Sequence, residues 1–337
     1  MITPGPRNAL SDVEGLLVGN AEDQAARSGV TVILPERPVA AAVDVRGGAP
    51  GTVNTDALAP GGLIRHLDGL VLSGGSTFGL EAASGLMSWL AARGRGFADW
   101  GPAVPRVAGA ILFDLVNGGD KDWGEMPPYR ALAAHAAGAA AADFALGNAG
   151  AGLGAVAGPV KGGLGTASAV DATTGITVAA LVVSNPVGSP VMPGQPSLWA
   201  WHLEQAGELG GQPLPSAPTG HRFETKRNLG QNTTIGVVAT DADLDRDALL
   251  RLAVMGQDGY AVAVRPMHTP FDGDTLFALS TGTRPLPDRP DALLRLGTIA
   301  ADVVARALAR GVFLARDAGD TKAYCSLWGS ALLGGEK

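Results

Sequence analysis

The sequence has a single cysteine, Cys325, and this scarcity excludes two kinds of structure. One thiol cannot form a disulfide framework within the chain, and a cysteine-based metal site needs several thiolates. Charged residues are also few, at 17% of 337 residues, and no basic run accompanies the net charge of −7. We therefore expect neither nucleic acid nor an anionic membrane as a partner.

The sequence also lacks a secretion signal and a clear membrane span. Residues 1–6 have neither the basic region nor the apolar region of a signal peptide. The Ala/Gly-rich stretch 131–160 comes nearest to a span, but it contains His135, Asp143 and Asn148, and its small side chains gain little from lipid. These features predict a cytoplasmic protein.

Hydrophobic residues make up 46% of the chain and glycine contributes 49 residues, which favours a large buried core with many tight turns. Helical spacing of apolar residues predicts helices over 80–90 and 293–308, and a third around Leu249 that Asp243 caps. Apolar runs rich in Val and Ile predict strands at 30–34, 39–45, 70–73, 107–113, 176–183, 235–240, 260–264 and 275–280. The mixed order predicts an α+β layered fold rather than a regular βαβ series.

The stretch from about Val187 to Gly230 is rich in Pro and Gly and ends in the polar run 221–228. It lies directly before Asn232 and Thr233. One interpretation is a plain surface loop, and the other is a mobile, accessible segment of the kind that a processed site needs.

Three other motifs have competing interpretations. The loop Leu72-Ser73-Gly74-Gly75-Ser76 resembles a nucleotide-binding signature, but no Walker A motif accompanies it, so it is either a tight strand-to-helix turn or an anion-binding loop. The alternating aspartates 241, 243, 245 and 247 lack the Gly and Glu of a calcium loop and indicate a solvated helix start. His268 lies near Asp272 and Asp274, but no second histidine has ligand-like spacing, so we expect no metal.

A threonine hydroxyl is a weak nucleophile that needs a base, and no Ser-His-Asp spacing is evident among the five histidines. A chain-terminal threonine has its own base, because the pKa of an α-amino group is about 7.7–8.0. Such a threonine must first be made terminal by cleavage of the chain.

The sequence resembles the DmpA-like peptidases, which include L-aminopeptidase/D-esterases, β-peptidyl aminopeptidases and nylon-oligomer hydrolases. The likeness runs nearly from end to end. It is carried by VDVRGGAPGT (43–52), SGGSTFGL (73–80), GAG (150–152), KGGLG (161–165), NPVG (185–188), NTTI (232–235) and HTPFDGDTLF (268–277).

The resemblance implies one domain, 1–337, with a four-layer α/β/β/α sandwich that cleaves itself into an α chain, 1–232, and a β chain, 233–337. It also implies a homo-oligomer of αβ units, often a tetramer. Neither a metal nor an organic cofactor is expected.

The resemblance also assigns site residues. Thr233 matches the nucleophile, and cleavage falls between Asn232 and Thr233. Lys161 and Asn185 match positions that line the active site, where Asn185 can donate to an oxyanion and Lys161 can stabilise negative charge or lower the pKa of the amine.

The remaining assignments concern the acid pair and the wall of the site. Asp272 and Asp274 match the acids of the nylon-hydrolase branch, where other branches carry Ser and Glu, and can orient Thr233 or receive a substrate amine. Ser76 and Phe113 are expected in the wall, and Phe113 stands where several members have a tyrosine that can assist the oxyanion.

These assignments predict an aminopeptidase or amidase that acts on small peptides or amino-acid amides through an acyl-enzyme. A hydrolase of 6-aminohexanoate oligomers is the alternative. A non-catalytic scaffold on the same fold is the third reading.

Overall fold

The computed structural model describes residues 1–99, 101–216, 224–226, 232–287 and 291–332. Its strands, in chain order, are β1 (Ile2–Thr3), β2 (Leu16–Asp23), β3 (Ser28–Pro35), β4 (Val39–Val45), β5 (Thr52–Val53), β6 (His66–Leu67), β7 (Gly69–Ser73), β8 (Val107–Ile111), β9 (Val156–Ala157), β10 (Val160–Lys161), β11 (Gly163–Asp171), β12 (Thr177–Ser184), β13 (Ile235–Asp243) and β14 (Thr275–Pro285). The α-helices are α1 (Glu81–Ala91), α2 (Tyr129–Gly138), α3 (Arg246–Ala263), α4 (Ala292–Phe313) and α5 (Tyr324–Leu332).

The strands form two larger sheets and one short hairpin. The first sheet has seven strands in the order β1-β11-β12-β13-β14-β4-β6, and only its β13–β14 pair is parallel. The second has five strands in the order β2-β3-β7-β8-β5, where β7 and β8 are parallel. Strands β9 and β10 form the hairpin, which carries Lys161.

Three buried cores separate four layers. One core lies between the seven-stranded sheet and helices α3 and α4, a second between the two sheets, and a third between the five-stranded sheet and helices α1 and α2. Strand β13 shows how the sequence builds this arrangement, because Val237 and Ala239 point into the core between the sheets while Val238 points to the helices. The predicted α+β sandwich with α/β/β/α layers is confirmed.

Most predicted elements are present, but the predicted strand 260–264 is wrong. Tyr260 and Ala263 lie in the last turns of α3. They are buried on the same side as Leu252 and Ala253, so the helical spacing of apolar residues continues through them.

The predicted cap of this helix is also wrong, because the Asp245 carboxylate accepts the Ala248 N–H at 2.8 Å. Asp243 is instead the last residue of β13. Strands β2 and β11 and helices α2 and α5 were not predicted. In β11 the glycines at 163 and 165 interrupt the apolar pattern that identifies a buried strand.

The Pro/Gly-rich stretch before Asn232 is not a plain surface loop over its described part. Val187, Val191, Leu198, Ala200 and Leu209 are buried, and four of them belong to the core beneath α3 and α4. The stretches 217–223 and 227–231 lie outside the described residues, so the predicted mobility there stays a prediction. In the described ranges, no helix is long and apolar enough to cross a membrane.

Helix α4 packs directly on glycines of β11. A Cβ at Gly165 would overlap the carbonyl of Ala307 and the backbone of Gly311, both in α4. We therefore expect Gly165→Ala to lower the free energy of unfolding by about 1–3 kcal/mol, because the backbones must separate. Urea denaturation measures the change.

The matched control is Gly329→Ala. Gly329 lies in α5 with the Cys325 Cβ at 3.8 Å as its nearest neighbour, so alanine has room and gains helix propensity. Equal stability of Gly165→Ala and the wild type would contradict the close packing of α4 on β11.

Candidate active site

The peptide between Asn232 and Thr233 lies where three strand ends meet. Antiparallel β12–β13 pairing continues past Ser184, so the Thr233 N–H donates to the Asn185 carbonyl at 2.9 Å. Parallel β13–β14 pairing continues in the other direction and places Asn232 beside Asp272. The Thr233 side chain is buried, with 4% of the residue exposed.

The carbonyl oxygen of Asn232 is held by two donors. It accepts the Gly273 N–H at 3.1 Å and the hydroxyl of Thr233 itself. A Cβ at Gly273 would lie 2.8 Å from the Thr233 Oγ1. Glycine at 273 therefore lets the backbone donor reach this carbonyl without displacing the hydroxyl.

The Asn232 side chain has an unusual environment. It is buried, with 3% of the residue exposed, and neither Oδ1 nor Nδ2 has a hydrogen-bond partner among the described residues. A buried polar group without a partner costs about 1–3 kcal/mol. Within the described part of the chain, the Asn232 amide therefore lacks the hydrogen bonds that normally compensate burial.

Asp272 and Asp274 are fully buried, and each carboxylate oxygen accepts a hydrogen bond from within the protein. Asp272 Oδ1 accepts the Val187 N–H at 3.0 Å, and Oδ2 accepts the N–H and hydroxyl of Thr269. Asp274 Oδ1 accepts the Thr234 N–H at 2.8 Å, which fixes the residue after the threonine. This arrangement favours an orienting role over capture of a substrate amine.

His268 forms a pair with Asp274. Its Nδ1 lies 2.9 Å from Asp274 Oδ2, and its main-chain N–H donates to the same oxygen at 3.1 Å. Burial raises the pKa of Asp274, and the hydrogen bond from His268 opposes that shift. Within the described ranges, no group of three or more His, Cys, Asp or Glu side chains is arranged to hold a metal ion.

The sequence motif VDVRGGAPGT packs on the loop that carries both aspartates. The Arg46 N–H donates to the Asp274 carbonyl at 3.0 Å, and the Ala49 N–H donates to the Asp272 carbonyl at 2.8 Å. A Cβ at Gly47 would overlap the backbone of both aspartates. The close approach requires glycine and fixes the loop rigidly.

Lys161 is buried at the end of β10, with 1% of the residue exposed. Its Nζ donates to the carbonyls of Gly152 and Gly162, each at 2.8 Å. Burial lowers the pKa of Lys161 to about 7, with Asp114 acting in the opposite direction. A neutral amine has two N–H donors and one lone pair, so these two bonds leave the lone pair available to accept a proton.

Asn185 is held by groups from several segments. Its Oδ1 accepts the Val156 N–H at 2.9 Å and the Lys226 Nζ at 2.9 Å, while its Nδ2 donates to the Phe113 carbonyl at 3.3 Å. The backbone carbonyl of Phe113, rather than its ring, makes this contact. The amide nitrogen of Asn185 therefore points toward the side of the site that Phe113 lines.

A cavity of about 600 Å³ opens beside Asn185. Its walls come from the segment after β8, the β9–β10 hairpin and the start of α5. They include Phe113, Asp114, Val116, Asn117, Gly154, Val156, Gly158, Pro159, Asn185, Thr225, Lys226, Asp320, Thr321, Lys322 and Leu327.

The structure places the two expected wall residues differently. Phe113 lines the cavity, whereas Ser76 is not among its lining residues. Ser76 instead begins a short 3-10 helix, Ser76–Leu80, and its N–H donates to the Leu112 carbonyl at 2.9 Å. The neighbouring Gly75 N–H donates to Asp114 at 2.8 Å, so this loop serves the scaffold around Asp114.

Two groups near the site were not predicted. Asp114 is buried and accepts from Ser28 Oγ at 2.7 Å, and burial raises its pKa. Lys226 contacts Asn185 but lies in a polar run that composition alone assigns to a loop. The acid directly after Phe113 was the available signal for Asp114, while only the tertiary structure identifies Lys226.

The hydrogen bonds of the Asp272 carboxylate lead to a prediction about the stability of the protein. We expect Asp272→Asn, in an uncleaved Thr233→Ala background, to lower the free energy of unfolding by about 2–4 kcal/mol, because an amide NH₂ would face backbone donors. Chemical denaturation measures the loss. Asp320→Asn is the control, since Asp320 is exposed at the cavity rim, and equal losses in the two variants would contradict the orienting role.

Comparison with known proteins gives consistent matches. The model of peptidase family S58 matches residues 8–324. An uncharacterized aminopeptidase of Mycobacterium tuberculosis (strain ATCC 25618 / H37Rv) is 40% identical over 349 aligned positions, covering 96% of this chain and 99% of that protein. A 6-aminohexanoate-oligomer endohydrolase of Kocuria sp. (strain KY2) is 29% identical over 327 positions, covering 87% of this chain and 82% of that protein.

Two solved structures share the architecture. The β-aminopeptidase of Burkholderia sp. superposes with a TM-score of 0.72 at 25% identity, covering 99% of this chain and 94% of that one. The L-aminopeptidase D-Ala-esterase/amidase of Ochrobactrum anthropi, described as a variant of the Ntn hydrolase fold, gives 0.68 at 25% identity, covering 95% and 89%. The α/β/β/α layers and the family match together show a peptide-bond hydrolase, and the chain belongs to peptidase family S58.

Proposed function

We propose that this peptidase cleaves its own chain between Asn232 and Thr233, and that Thr233 then acts as a terminal nucleophile on small peptides or amino-acid amides. One observation carries the proposal. The Thr233 hydroxyl lies against the Asn232 carbonyl oxygen, and that same oxygen accepts the Gly273 N–H at 3.1 Å.

Self-cleavage begins when Thr233 Oγ1 attacks the carbonyl carbon of Asn232. The oxygen that becomes negative already has the Gly273 donor, and such a donor is worth about 2.7–4 kcal/mol in other enzymes. The C–N bond breaks, the nitrogen takes the hydroxyl proton, and an ester links the two residues. Water then hydrolyses this ester, which leaves a carboxylate on Asn232 and restores the hydroxyl of Thr233.

The environment of Asn232 favours cleavage of the peptide bond between Asn232 and Thr233. Among the described residues its buried amide has no hydrogen-bond partner, and burial without partners is unfavourable for an amide. Cleavage allows the new chain end to move and the amide to meet water or other polar groups. The new carboxylate also repels the buried acids beside it, which favours its departure.

After cleavage, the Thr233 nitrogen becomes an α-amino group beside the Asn185 carbonyl, where its N–H already donates. The proposed turnover uses this amine to take the hydroxyl proton as Oγ1 attacks a substrate amide, and to return it to the leaving amine. In its protonated form, Lys161 would stabilise negative charge that develops in the site or lower the pKa of this amine, and burial lowers the pKa of Lys161 itself to about 7. The acyl-enzyme is then cleared by water.

The proposed substrate site is the cavity beside Asn185, because Asn185 both lines this cavity and accepts the Thr233 N–H, whereas Thr233 itself is buried and is not among the lining residues. Its 600 Å³ volume is suited to a ligand of a few residues. The relative with 40% identity is named as an uncharacterized aminopeptidase, which supports small peptides and amides as substrates. The more distant 6-aminohexanoate-oligomer endohydrolase supports the alternative of linear ω-amino-acid oligomers, which an open cavity can also admit.

The proposed self-cleavage can be tested directly by measuring the mass of the denatured protein. Denatured wild-type protein should give two fragments that meet at Asn232 and Thr233, while Thr233→Ala should remain one chain because it has no hydroxyl. Thr233→Ser is the matched control, since it retains the hydroxyl and should still be cleaved. Intact mass spectrometry measures all three proteins, and an uncleaved wild type that hydrolyses amides would contradict the terminal-nucleophile mechanism.

Substrate preference is a separate prediction. We expect the cleaved enzyme to hydrolyse an aminoacyl p-nitroanilide faster than a 6-aminohexanoate oligomer, compared by kcat/KM at matched enzyme concentration. Uncleaved Thr233→Ala should hydrolyse neither. Faster hydrolysis of the oligomer would reverse the ranking of the two candidate functions and leave the nucleophile unchanged.

A further inference from the structure

We propose that Lys226 is a positioning residue for self-cleavage, which it serves by holding Asn185 in the one orientation that supports the scissile peptide. This inference rests on the proposed cleavage at Asn232 and Thr233. Two hydrogen bonds to Asn185 carry this role, and the charge of Lys226 also interacts with that of Asp272.

The backbone fixes where Lys226 can reach. Thr225 forms an antiparallel bridge with Gly188, and the Lys226 N–H donates to the Val187 carbonyl at 3.0 Å. These two contacts join the segment 224–226 to the turn that follows Asn185. A Cβ at Gly188 would overlap the backbone of Arg265 and Pro266, so this turn packs closely against that segment.

The Lys226 ammonium group binds both oxygens of Asn185. Its Nζ lies 3.1 Å from the main-chain carbonyl oxygen and 2.9 Å from Oδ1. The main-chain oxygen is the one that accepts the Thr233 N–H, and Oδ1 also accepts the Val156 N–H. The Lys226 side chain therefore constrains two groups of Asn185 together. These are the main-chain carbonyl that accepts the Thr233 N–H, and the side-chain amide.

These contacts select one orientation of the Asn185 amide. With Oδ1 toward Lys226 and Val156, Nδ2 faces the Phe113 carbonyl and remains a donor on the cavity side. Rotation by half a turn would place the NH₂ group against two donors, which is electrostatically unfavourable. Lys226 and Val156 oppose this rotation together, and removal of Lys226 takes away a donor that faces Oδ1.

The contacts of Lys226 with Asn185 do not depend on whether the lysine is protonated. Desolvation lowers the pKa of Lys226 to about 7, Asp272 opposes the shift, and Lys161 reinforces it. Both the ammonium and the neutral amine have at least two N–H donors. Both forms can therefore bind the two oxygens of Asn185 around neutral pH.

The kinetic test follows chain cleavage in freshly translated protein. We expect Lys226→Met to slow the appearance of the fragments by about tenfold or more, because two hydrogen bonds to Asn185 are lost. Lys226→Arg should restore much of the rate, since a guanidinium can donate to two oxygens. Cleavage of Lys226→Met at the wild-type rate would overturn the proposal.

A lysine elsewhere in the chain provides the matched control. Lys121 makes the same kind of contacts, because its Nζ donates to the Ala26 carbonyl and to Asn117 Oδ1 at 2.9 Å. Lys121→Met should be cleaved at the wild-type rate. If Lys121→Met is slowed as much as Lys226→Met, general loss of packing explains the effect and the proposal fails.

A second measurement separates an effect of Lys226 on the orientation of Asn185 from an effect on the stability of the protein. Neutron crystal structures, which distinguish the amide oxygen from the NH₂ group, of Thr233→Ala and of Thr233→Ala with Lys226→Met should differ in the orientation of the Asn185 amide. An unchanged Asn185 would overturn the proposed role. By contrast, cleavage of Thr233→Ala, or a wild type that stays intact, would refute the proposed self-cleavage itself.

Discussion

The site depends on the burial of one peptide bond between strands that pair with it on both sides. Strand β12 supplies the Asn185 carbonyl to the nitrogen of this bond, and the start of β14 supplies the Gly273 N–H to its oxygen. The same sheet pairing that builds the fold therefore aligns the Asn232–Thr233 peptide. Because both ends of the bond are held, the Thr233 side chain has little freedom and stays against the carbonyl that it is proposed to attack.

This alignment needs rigid support, and the two buried aspartates provide it. Each joins a strand start to a neighbouring loop, since Asp272 binds the turn at Val187 and Asp274 binds Thr234 and His268. Burying two carboxylates is costly unless they are well hydrogen-bonded, and here every oxygen has a donor. Glycines at 47 and 273 allow the loops to approach closely enough for these bonds to form.

Sequence periodicity predicted most of the strands and helices, whereas the four-layer arrangement and the site residues came from the resemblance to a family. Strands such as β13 are continuous apolar runs that both periodicity and length identify. Tyr260 was misassigned because a short apolar run fits either a strand or the end of a helix. Thr233 has no local signal beyond a hydroxyl after a loop, so its assignment came from resemblance. The role of Asn185 depends on Phe113, Val156 and Lys226, which meet only through tertiary structure.

The distribution of charge indicates how substrates are recognised. Every carboxylate oxygen of Asp272 and Asp274 already accepts at least one hydrogen bond from a backbone group or a neighbouring side chain. On the wall of the proposed substrate cavity, by contrast, the carboxylate of Asp320 is exposed and can meet a cationic amine. Lys322 also lines this wall, where its Nζ donates to the Asp317 carboxylate at 2.8 Å. A wall that presents both charges is compatible with short zwitterionic peptides, which belong to the substrate class proposed for Thr233.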